Sequence, residues 1–333
     1  MTHTPTSRGG AALPARTLGA TTVRVTELGF GAAPVGNLYR PVSDEDARAT
    51  VDAAWDGGVR YFDTAPHYGL GLSERRLGAA LRGRPRDEYV VSTKVGRLLV
   101  PNGAPTGSDL ATGGFAVPDD LTRRRDYSRD GVLRSLESSL ARLGLDRVDV
   151  VYVHDPEDHM DDAISEAVPA LCRLRDEGVV GAVGAGMNLV EPLRRIVAES
   201  DVDAVMVAGR WTLADRSAAP LLADCAARGV SVVAAAPFNS GLLARRWPPD
   251  DARFDYGLAP APLLALARGL ARTCDEAGVA LPHAAMRFPL RAPEVACVVA
   301  GFGRPEHAAS GARWVAEPLD DAAWAALDAA ARS

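Results

Sequence analysis

Short runs rich in β-branched residues alternate with segments of helical spacing along nearly the whole of this 333-residue chain. The strand-like runs cover residues 27–32, 59–62, 89–92, 148–153, 179–183, 204–208, 230–234 and 295–300. Between them, apolar residues recur every three or four positions, which predicts helices with one apolar face. Strands separated by helices lie parallel and are joined by right-handed crossovers. The chain is therefore predicted to form an α/β fold with eight parallel strands.

Eight strand-helix units in about 300 residues favour a closed (β/α)8 barrel, the TIM barrel, over an open sheet. An open doubly wound sheet that binds nicotinamide dinucleotides carries Gly-x-Gly-x-x-Gly after its first strand. Residues 29–34 read Gly-Phe-Gly-Ala-Ala-Pro, which does not match, and no Pro- or Ser-rich linker divides the chain. We predict a single barrel domain over residues 16–333, preceded by a flexible tail over residues 1–15.

Residues 97–127 interrupt the alternation. They are rich in Gly, Pro and Asp, show no clear period, and are too many for a simple connector. Because they follow the third strand-like run, we interpret them as a functional loop over the barrel mouth. Two alternatives remain for the charged residues of this segment: they contact a substrate, or they form a solvated surface. These residues are Asp109, Asp119, Asp120 and residues 123–125.

Charge and composition restrict the class of partner. The formal net charge is −6 and no basic run is present, which argues against nucleic acid or an anionic membrane and favours a small-molecule substrate. No run approaches the roughly 18 apolar residues of a spanning helix, and the polar N-terminus does not resemble a secretion signal. Four scattered cysteines and six histidines show no metal-ligand spacing. We expect a cytoplasmic protein without a metal, and the sequence specifies no oligomeric state.

Four polar residues stand at or just after the ends of apolar strands, where a parallel barrel builds its active site. Asp63 ends Val-Arg-Tyr-Phe-Asp at 59–63, and Tyr68 follows in the next loop. Lys94 ends Val-Val-Ser-Thr-Lys at 90–94, and His154 ends Val-Val-Tyr-Val-His at 150–154. Each has a structural alternative when taken singly: a turn cap, a packed aromatic ring, a cation with a buried stem, or a paired core imidazole. Together, at one end of neighbouring strands, they predict a catalytic group.

The four residue types suit proton transfer at an oxygen atom. A tyrosine has a pKa of about 10, which a neighbouring cation such as Lys94 is expected to lower. Asp63 can pair with the buried ammonium group, and His154 can orient the substrate oxygen for proton exchange with Tyr68. No side chain carries hydride, so this chemistry implies a nicotinamide cofactor.

At these residues the chain resembles the aldo-keto reductase family, whose catalytic tetrad is Asp, Tyr, Lys and His in this order. The resemblance rests on Tyr-Phe-Asp-Thr-Ala-x-x-Tyr-Gly at 61–69, Ser-Thr-Lys at 92–94 and the histidine at a strand end, and it extends from residue 18 to the loop at Gly301. It implies general acid-base chemistry by Tyr68. His67 has no counterpart in the tetrad and is interpreted as a wall of the pocket.

The resemblance also implies a cofactor extended across the barrel mouth. Segment 183–188 resembles the strand end that holds the carboxamide, 237–243 the loop that cradles the pyrophosphate through backbone N–H groups, and 301–307 the adenosine-phosphate loop. The single nearby cation, Arg304, favours NAD over NADP. The implied contacts are Gly31, Ala32, Asn188, Pro237, Phe238, Asn239, Ser240, Gly241, Leu242, Gly301, Gly303, Arg304 and His307.

Three positions depart from common members of the family: Ala235, Ala208 and Gly311 stand where a stacking tyrosine, a glutamine and an asparagine are frequent. Segments 208–213 and 237–241 resemble the branch of D-threo-aldose (L-fucose) 1-dehydrogenases and pyridoxal 4-dehydrogenases, which oxidise cyclic hemiacetals to lactones. The expected function is oxidation of the anomeric hydroxyl of an aldose by NAD(P)+. The alternatives are pyridoxal oxidation, general aldehyde or ketone reduction, and a non-enzymatic, cofactor-binding regulatory subunit.

Overall fold

The computed structural model describes residues 12–255 and 257–331, which form a closed barrel of parallel strands surrounded by helices. In chain order the strands are β1 (Ala15–Thr17), β2 (Arg24–Thr26), β3 (Leu28–Gly31), β4 (Tyr61–Asp63), β5 (Val90–Val95), β6 (Arg97–Pro101), β7 (Leu121–Arg125), β8 (Val150–His154), β9 (Ala182–Met187), β10 (Ala204–Ala208), β11 (Ser231–Ala235), β12 (Arg253–Phe254), β13 (Gly257–Leu258) and β14 (Val295–Gly301). The barrel runs β3-β4-β5-β8-β9-β10-β11-β14 and closes on β3 through parallel pairs. The predicted (β/α)8 barrel is confirmed.

The helices pack outside the barrel strands. They are α1 (Asp44–Asp56), α2 (Leu72–Leu81), α3 (Arg129–Leu143), α4 (Met160–Asp162), α5 (Val168–Asp176), α6 (Val190–Glu199), α7 (Ala219–Arg228), α8 (Ala261–Glu276), α9 (Leu281–Arg287), α10 (Pro305–Ala316) and α11 (Asp321–Ala330). A π-helical turn, Ala163–Ala167, joins α4 to α5. Short 3-10 turns are Pro34–Gly36, Arg86–Glu88, Asn239–Gly241 and Phe288–Arg291. Within the described ranges, no helix is long and apolar enough to cross a membrane.

The interior of the barrel is filled by large side chains from alternate strand positions. Tyr61 and Tyr152 are fully buried there. The antiparallel hairpin of β1 and β2 contributes Leu18 and Val25 to the same cluster. Aromatic and aliphatic groups inside therefore make the barrel a packed core rather than a pore, and its chemistry is confined to the strand ends.

One strand was predicted at the wrong position. The run 179–183 was expected to be a strand, but β9 begins at Ala182. Val179 and Val180 both donate their N–H groups to the carbonyl of Leu174, and Val179 is 47% exposed. These residues complete the turn after α5. A strand was predicted here because β-branched residues such as valine favour strands wherever they occur.

Residues 97–127 are more regular than their composition indicated. Their ends form an antiparallel hairpin of β6 and β7 with Arg97 opposite Arg125, and residues 102–120 form the loop between them. The segment follows β5, so it lies at the end of the barrel that carries Lys94. The expected position at the barrel mouth is consistent with this arrangement, whereas the expected lack of regular structure is wrong.

The predicted tail lies mostly outside the described residues, which begin at Ala12. Leu13, inside the predicted tail, is buried and donates its N–H to the carbonyl of Gly58 at 3.0 Å. The division into a tail and one barrel domain stays a prediction.

Candidate active site

Four predicted residues come together at the C-terminal ends of β4, β5 and β8, which are neighbours in the barrel. Asp63 is the last residue of β4, Lys94 lies near the end of β5, and His154 is the last residue of β8. Tyr68 follows in the loop after β4, and its ring centre lies 5.9 Å from that of His154. The structure thus places all four in one site.

Lys94 and Asp63 form a buried ion pair. The Lys94 Nζ donates to Asp63 Oδ2 at 2.6 Å and to the carbonyl of Thr64 at 3.0 Å, and both charged side chains are only 2–3% exposed. Burial works to lower the pKa of Lys94, but the carboxylate of Asp63 and the phenol of Tyr68 outweigh it and raise the pKa. Lys94 is therefore a fixed cation, 4.8 Å from the ring centre of Tyr68.

The second carboxylate oxygen of Asp63 is held by a chain of hydroxyl groups inside the barrel. Ser92 Oγ donates to Asp63 Oδ1 at 2.7 Å, Tyr61 Oη lies 3.0 Å from Ser92 Oγ, and Tyr152 Oη lies 3.3 Å from Tyr61 Oη. Burial raises the pKa of both tyrosines, so their hydroxyls stay protonated. Sequence reasoning missed Ser92, although it stands two positions before Lys94 on the same strand and so shares its inward face.

Strand β5 is anchored from outside by Glu74 of α2, which is fully buried. Its carboxylate accepts from Thr93 Oγ1 at 2.8 Å and from Arg142 Nε of α3 at 2.5 Å. Thr93 points away from the barrel axis because strand side chains alternate. The pair of helices thereby fixes the strand that carries Lys94.

The pKa of Tyr68 differs from the expectation. Burial raises it to about 12, even though Lys94 pulls it down through charge and hydrogen bonding. The expected effect of Lys94 is present, but desolvation of the phenolate is larger. Tyr68 is consequently protonated at neutral pH in this state of the site.

His154 is a neutral imidazole. Burial lowers its pKa well below the ordinary value, and the nearby cations Arg97, Lys94 and Arg125 lower it further. Its Nδ1 is buried without a hydrogen-bond partner in the described part of the chain. Such an orphaned polar atom beside Tyr68 fits a site that receives a polar ligand.

His67 lies in the same site, beside two of the candidate catalytic residues. Its ring centre is 5.7 Å from that of His154, 6.0 Å from Tyr68 and 5.3 Å from Phe115. Burial and the neighbouring cations lower its pKa to about 2. Its Nδ1, like that of His154, is buried and lacks a partner within residues 12–255 and 257–331.

The β6–β7 hairpin is tied to the strand end that carries His154. Tyr127 Oη lies 2.7 Å from the carbonyl oxygen of His154 and 2.8 Å from that of Asp155, and its single O–H donates to this pair of oxygens. Arg97 pairs with the carboxylate of Asp155, and Arg125 donates to its carbonyl. Asp155 adopts a left-handed conformation, with φ +42°, that these contacts hold in place.

Two acidic residues of segment 97–127, considered above as contacts to a substrate, form their hydrogen bonds within the segment. Asp109 is buried in a bidentate pair with Arg123, at 2.5 and 2.6 Å. Asp119 accepts from the N–H groups of Thr106 and Gly107, both at 2.7 Å. Neither alternative expected for Asp109 and Asp119, a substrate contact or a solvated surface, is met, since both side chains are buried and their oxygens are used to shape the loop.

The residues expected to contact the cofactor follow four strands of the barrel on the catalytic end. Gly31 ends β3 and Ala32 follows it, and Asn188 follows β9. The segment 237–242 begins two residues after the end of β11, and the segment 301–307 begins at the last residue of β14. Asn188, Asn239 and Ser240 line one cleft together with Ala208, Gly209 and Arg210 of the segment 208–213. Sequence reasoning missed three further lining residues, which are Ala236, Phe254 and Asp255. The residues of this cleft come from other parts of the sequence than Asp63, Tyr68, Lys94 and His154, but they lie at the same end of the barrel.

The loop after β11 departs from the expected backbone cradle. The N–H groups of Asn239, Gly241 and Leu242 donate to carbonyls inside the loop at 3.0–3.1 Å. Ala236, Asn239 and Ser240 all have positive φ, from +46° to +56°, which is costly for residues with a side chain and is typical of functional sites. Oδ1 of Asn239 is buried without a partner in the described residues, so a side chain rather than these N–H groups presents a polar atom.

The segment 301–307 leads into the N-terminus of α10, where a phosphate is favoured by the helix dipole. Arg304 and His307 are exposed there, whereas Phe302 between the two glycines is buried. A methyl group at Gly303 would lie 3.3 Å from Nη2 of Arg40. Arg40 is thus a second cation beside this loop, so the expectation that Arg304 stands alone is wrong.

Barrel and tetrad together define the class of the protein. Residues 27–332 match the model of the Aldo/keto reductase family, and the chain belongs to that family. It is an oxidoreductase, and the family uses a nicotinamide cofactor. The structure is similar to an aldo-keto reductase of Bacillus halodurans in its holo form, with a TM-score of 0.78, 25% identity and 96% coverage of each chain.

Two relatives are similar over nearly their full length. A D-threo-aldose 1-dehydrogenase of a Pseudomonas species is 49% identical over 91% of this chain and 93% of its own. A pyridoxal 4-dehydrogenase of Microbacterium luteolum is 39% identical over 94% of this chain and 96% of its own. Both belong to the branch that segments 208–213 and 237–241 indicated.

Proposed function

We propose that the enzyme oxidises the anomeric hydroxyl of an aldose of the L-fucose or D-threo type to the aldonolactone, in the cytoplasm. The observation that carries this proposal is the 49% identity to a D-threo-aldose 1-dehydrogenase across most of both chains. The proton-transfer group supports it, because a hemiacetal hydroxyl must lose a proton as its carbon loses hydride. Asp63, Tyr68, Lys94 and His154 are the proposed catalytic residues.

An oxidised nicotinamide, when bound, supplies the acceptor for the hydride of C1. Tyr68 removes the hydroxyl proton, and the fixed charge of Lys94 stabilises the phenolate that this requires. Asp63 holds Lys94 in place through the ion pair at 2.6 Å. Neutral His154 hydrogen-bonds the same substrate oxygen through Nδ1 and orients it toward Tyr68.

The proposed cofactor contacts are those expected from the resemblance, with Arg40 added. Asn239 is supported by its buried, unpaired Oδ1, and Arg40 by its position beside Gly303. NAD was favoured because one arginine binds a 2′-phosphate less firmly than two. With Arg40 near Gly303, two guanidinium groups can share that phosphate. We therefore propose that both NAD and NADP are accepted. The ratio of the two kcat/KM values measures the preference, and Arg40→Ala and Arg304→Ala should each lower kcat/KM with NADP more than with NAD.

The function is tested by product analysis after incubation with NAD(P)+ and a panel of free aldoses, their methyl glycosides and pyridoxal. A free aldose should give the lactone, and its methyl glycoside, in which the anomeric hydroxyl is blocked, should not react. Oxidation of pyridoxal alone would support the second candidate, which rests on 39% identity to a pyridoxal 4-dehydrogenase. Reduction of simple aldehydes, with neither oxidation, would identify a general carbonyl reductase.

A further inference from the structure

Two buried side-chain nitrogens without a partner belong to the rings beside Tyr68. Among the described residues, these are Nδ1 of His154 and Nδ1 of His67, whose ring centres lie 5.9 and 6.0 Å from that of Tyr68. Buried polar groups are ordinarily paired, so two such atoms next to a proposed reaction site indicate a ligand that supplies the partners. His154 is accounted for by the reacting oxygen, whereas His67 is not.

His67 is placed to touch the same small ligand as the catalytic group. Its ring centre lies about equally far from the rings of His154 and Tyr68, at 5.7 and 6.0 Å. Its edge-on contact with Phe115, at 5.3 Å and 87°, restrains the ring. Its own backbone carbonyl accepts from Arg123 Nη2 at 2.9 Å, which restrains the main chain as well. The imidazole is thus preorganised, yet its Nδ1 bonds to nothing in the described residues.

We propose that His67 recognises the hydroxyl on the carbon next to the reacting carbon, and so selects aldoses with a 2-hydroxyl group. The inference rests on the proposed aldose oxidation and adds the residue that determines specificity. In the proposed mechanism the reacting oxygen contacts both Tyr68 and His154, and the ring of His67 is within 6.0 Å of both of theirs, so a hydroxyl on the neighbouring carbon is the substrate group expected to reach it. His67 acts on binding and orientation and takes no part in the proton transfer.

The neutral state of His67 suits a hydroxyl group. Burial, Arg97, Arg123 and Lys94 hold the pKa of His67 near 2, so the imidazole stays neutral. A neutral imidazole has one nitrogen that donates and one that accepts. A hydroxyl group can satisfy either tautomer, whereas a carboxylate can only accept. A site built around such a bond rejects an analogue without the hydroxyl, because the buried nitrogen is then left unpaired.

The test compares two substituted enzymes on two substrates, an aldose that the wild-type enzyme oxidises and its 2-deoxy analogue. His67→Phe keeps a ring against Phe115 but removes both nitrogens, and His67→Asn keeps a polar atom near the position of Nδ1. We expect the wild type to favour the aldose by at least about tenfold in kcat/KM, the Phe variant to lose most of that ratio, and the Asn variant to retain part of it. Thermal unfolding and dinucleotide binding verify that each variant is folded.

The outcomes separate the two proposals. If the wild type oxidises aldoses but the Phe variant lowers kcat/KM equally for both substrates, His67 is only a packing residue and the inference is overturned while the function stands. An equal kcat/KM for both substrates in the wild type also overturns the inference alone. If the wild type oxidises neither sugar, the proposed function fails and the inference with it. Should the Phe variant not fold, the decision rests on the Asn variant, through the ratio of its kcat/KM for the aldose to its kcat/KM for the 2-deoxy analogue.

Discussion

At the scale of single residues, desolvation and charge compete at Tyr68. Its neighbour Lys94 favours the phenolate, but burial disfavours it more, and the pKa rises to about 12. A protonated phenol is ready to donate a proton in the reductive direction, whereas oxidation needs the phenolate. Proton transfer should therefore limit oxidation at neutral pH and become easier as the pH rises.

Tyr68→Phe should lower kcat at least about a hundredfold, because it removes the proton carrier, and leave dinucleotide binding nearly unchanged. Stopped-flow fluorescence can measure binding, and steady-state assays can measure turnover in the same preparation. Retention of more than about one part in a hundred of kcat would show that another group carries the proton.

Lys94 is best tested together with Asp63. Lys94→Met alone leaves a buried carboxylate without its counter-ion, at a cost of about 3–5 kcal/mol. The double variant Lys94→Met/Asp63→Asn removes both charges. Since Lys94 lowers the pKa of Tyr68 more than Asp63 raises it, the pKa should rise further. The pH at which kcat/KM for oxidation is half-maximal should move upward, and an unchanged pH profile would contradict the role assigned to Lys94.

At the scale of elements, the β6–β7 hairpin carries the contacts that frame the site. Its composition predicted an irregular loop, but cross-strand pairing and the internal carboxylates Asp109 and Asp119 make it ordered. Gly- and Asp-rich stretches do not reveal such pairing, because the partners of each carboxylate lie 12–14 residues away. Arg123 of the hairpin contacts the carbonyl of His67, and Tyr127, two residues after β7, contacts the carbonyl of His154.

Asp109→Leu should destabilise this hairpin, because it leaves the guanidinium of Arg123 largely buried and unpaired, at a cost of about 3 kcal/mol. We expect faster proteolysis within residues 102–120 and a higher KM for the substrate. The control is Asp109→Leu/Arg123→Met, in which neither charge remains, and it should regain much of the protease resistance. Equal protease resistance of the single variant and the wild type would mean that the pair does not hold the loop.

At the scale of the whole molecule, two buried neutral histidines couple stability to pH. The pKa values of His67 and His154 are depressed in the folded protein, while in the unfolded chain each has the ordinary value near 6.5. Below that value the unfolded chain binds more protons, so the free energy of unfolding falls as the pH falls.

The contribution of His67 can be isolated by urea unfolding at pH 7.5 and 5.5. Each neutral histidine should remove about 1.4 kcal/mol from the free energy of unfolding over this interval. His67→Phe lacks the titrating group, so its loss should be smaller than that of the wild type by about this amount. Equal losses would mean that His67 is protonated in the folded state.

The sequence alone determined the barrel, because hydrophobic periodicity and strand-helix alternation are local properties with one dominant global solution. It also predicted the candidate catalytic residues, since a polar residue ending a buried strand is visible in the chain, and their roles stay a prediction. Tertiary structure decided three other features: the pKa of Tyr68, the position of Arg40 near Gly303, and the position of His67. Each depends on distance and burial among residues far apart in sequence, and desolvation is a property of the folded environment that no local pattern contains.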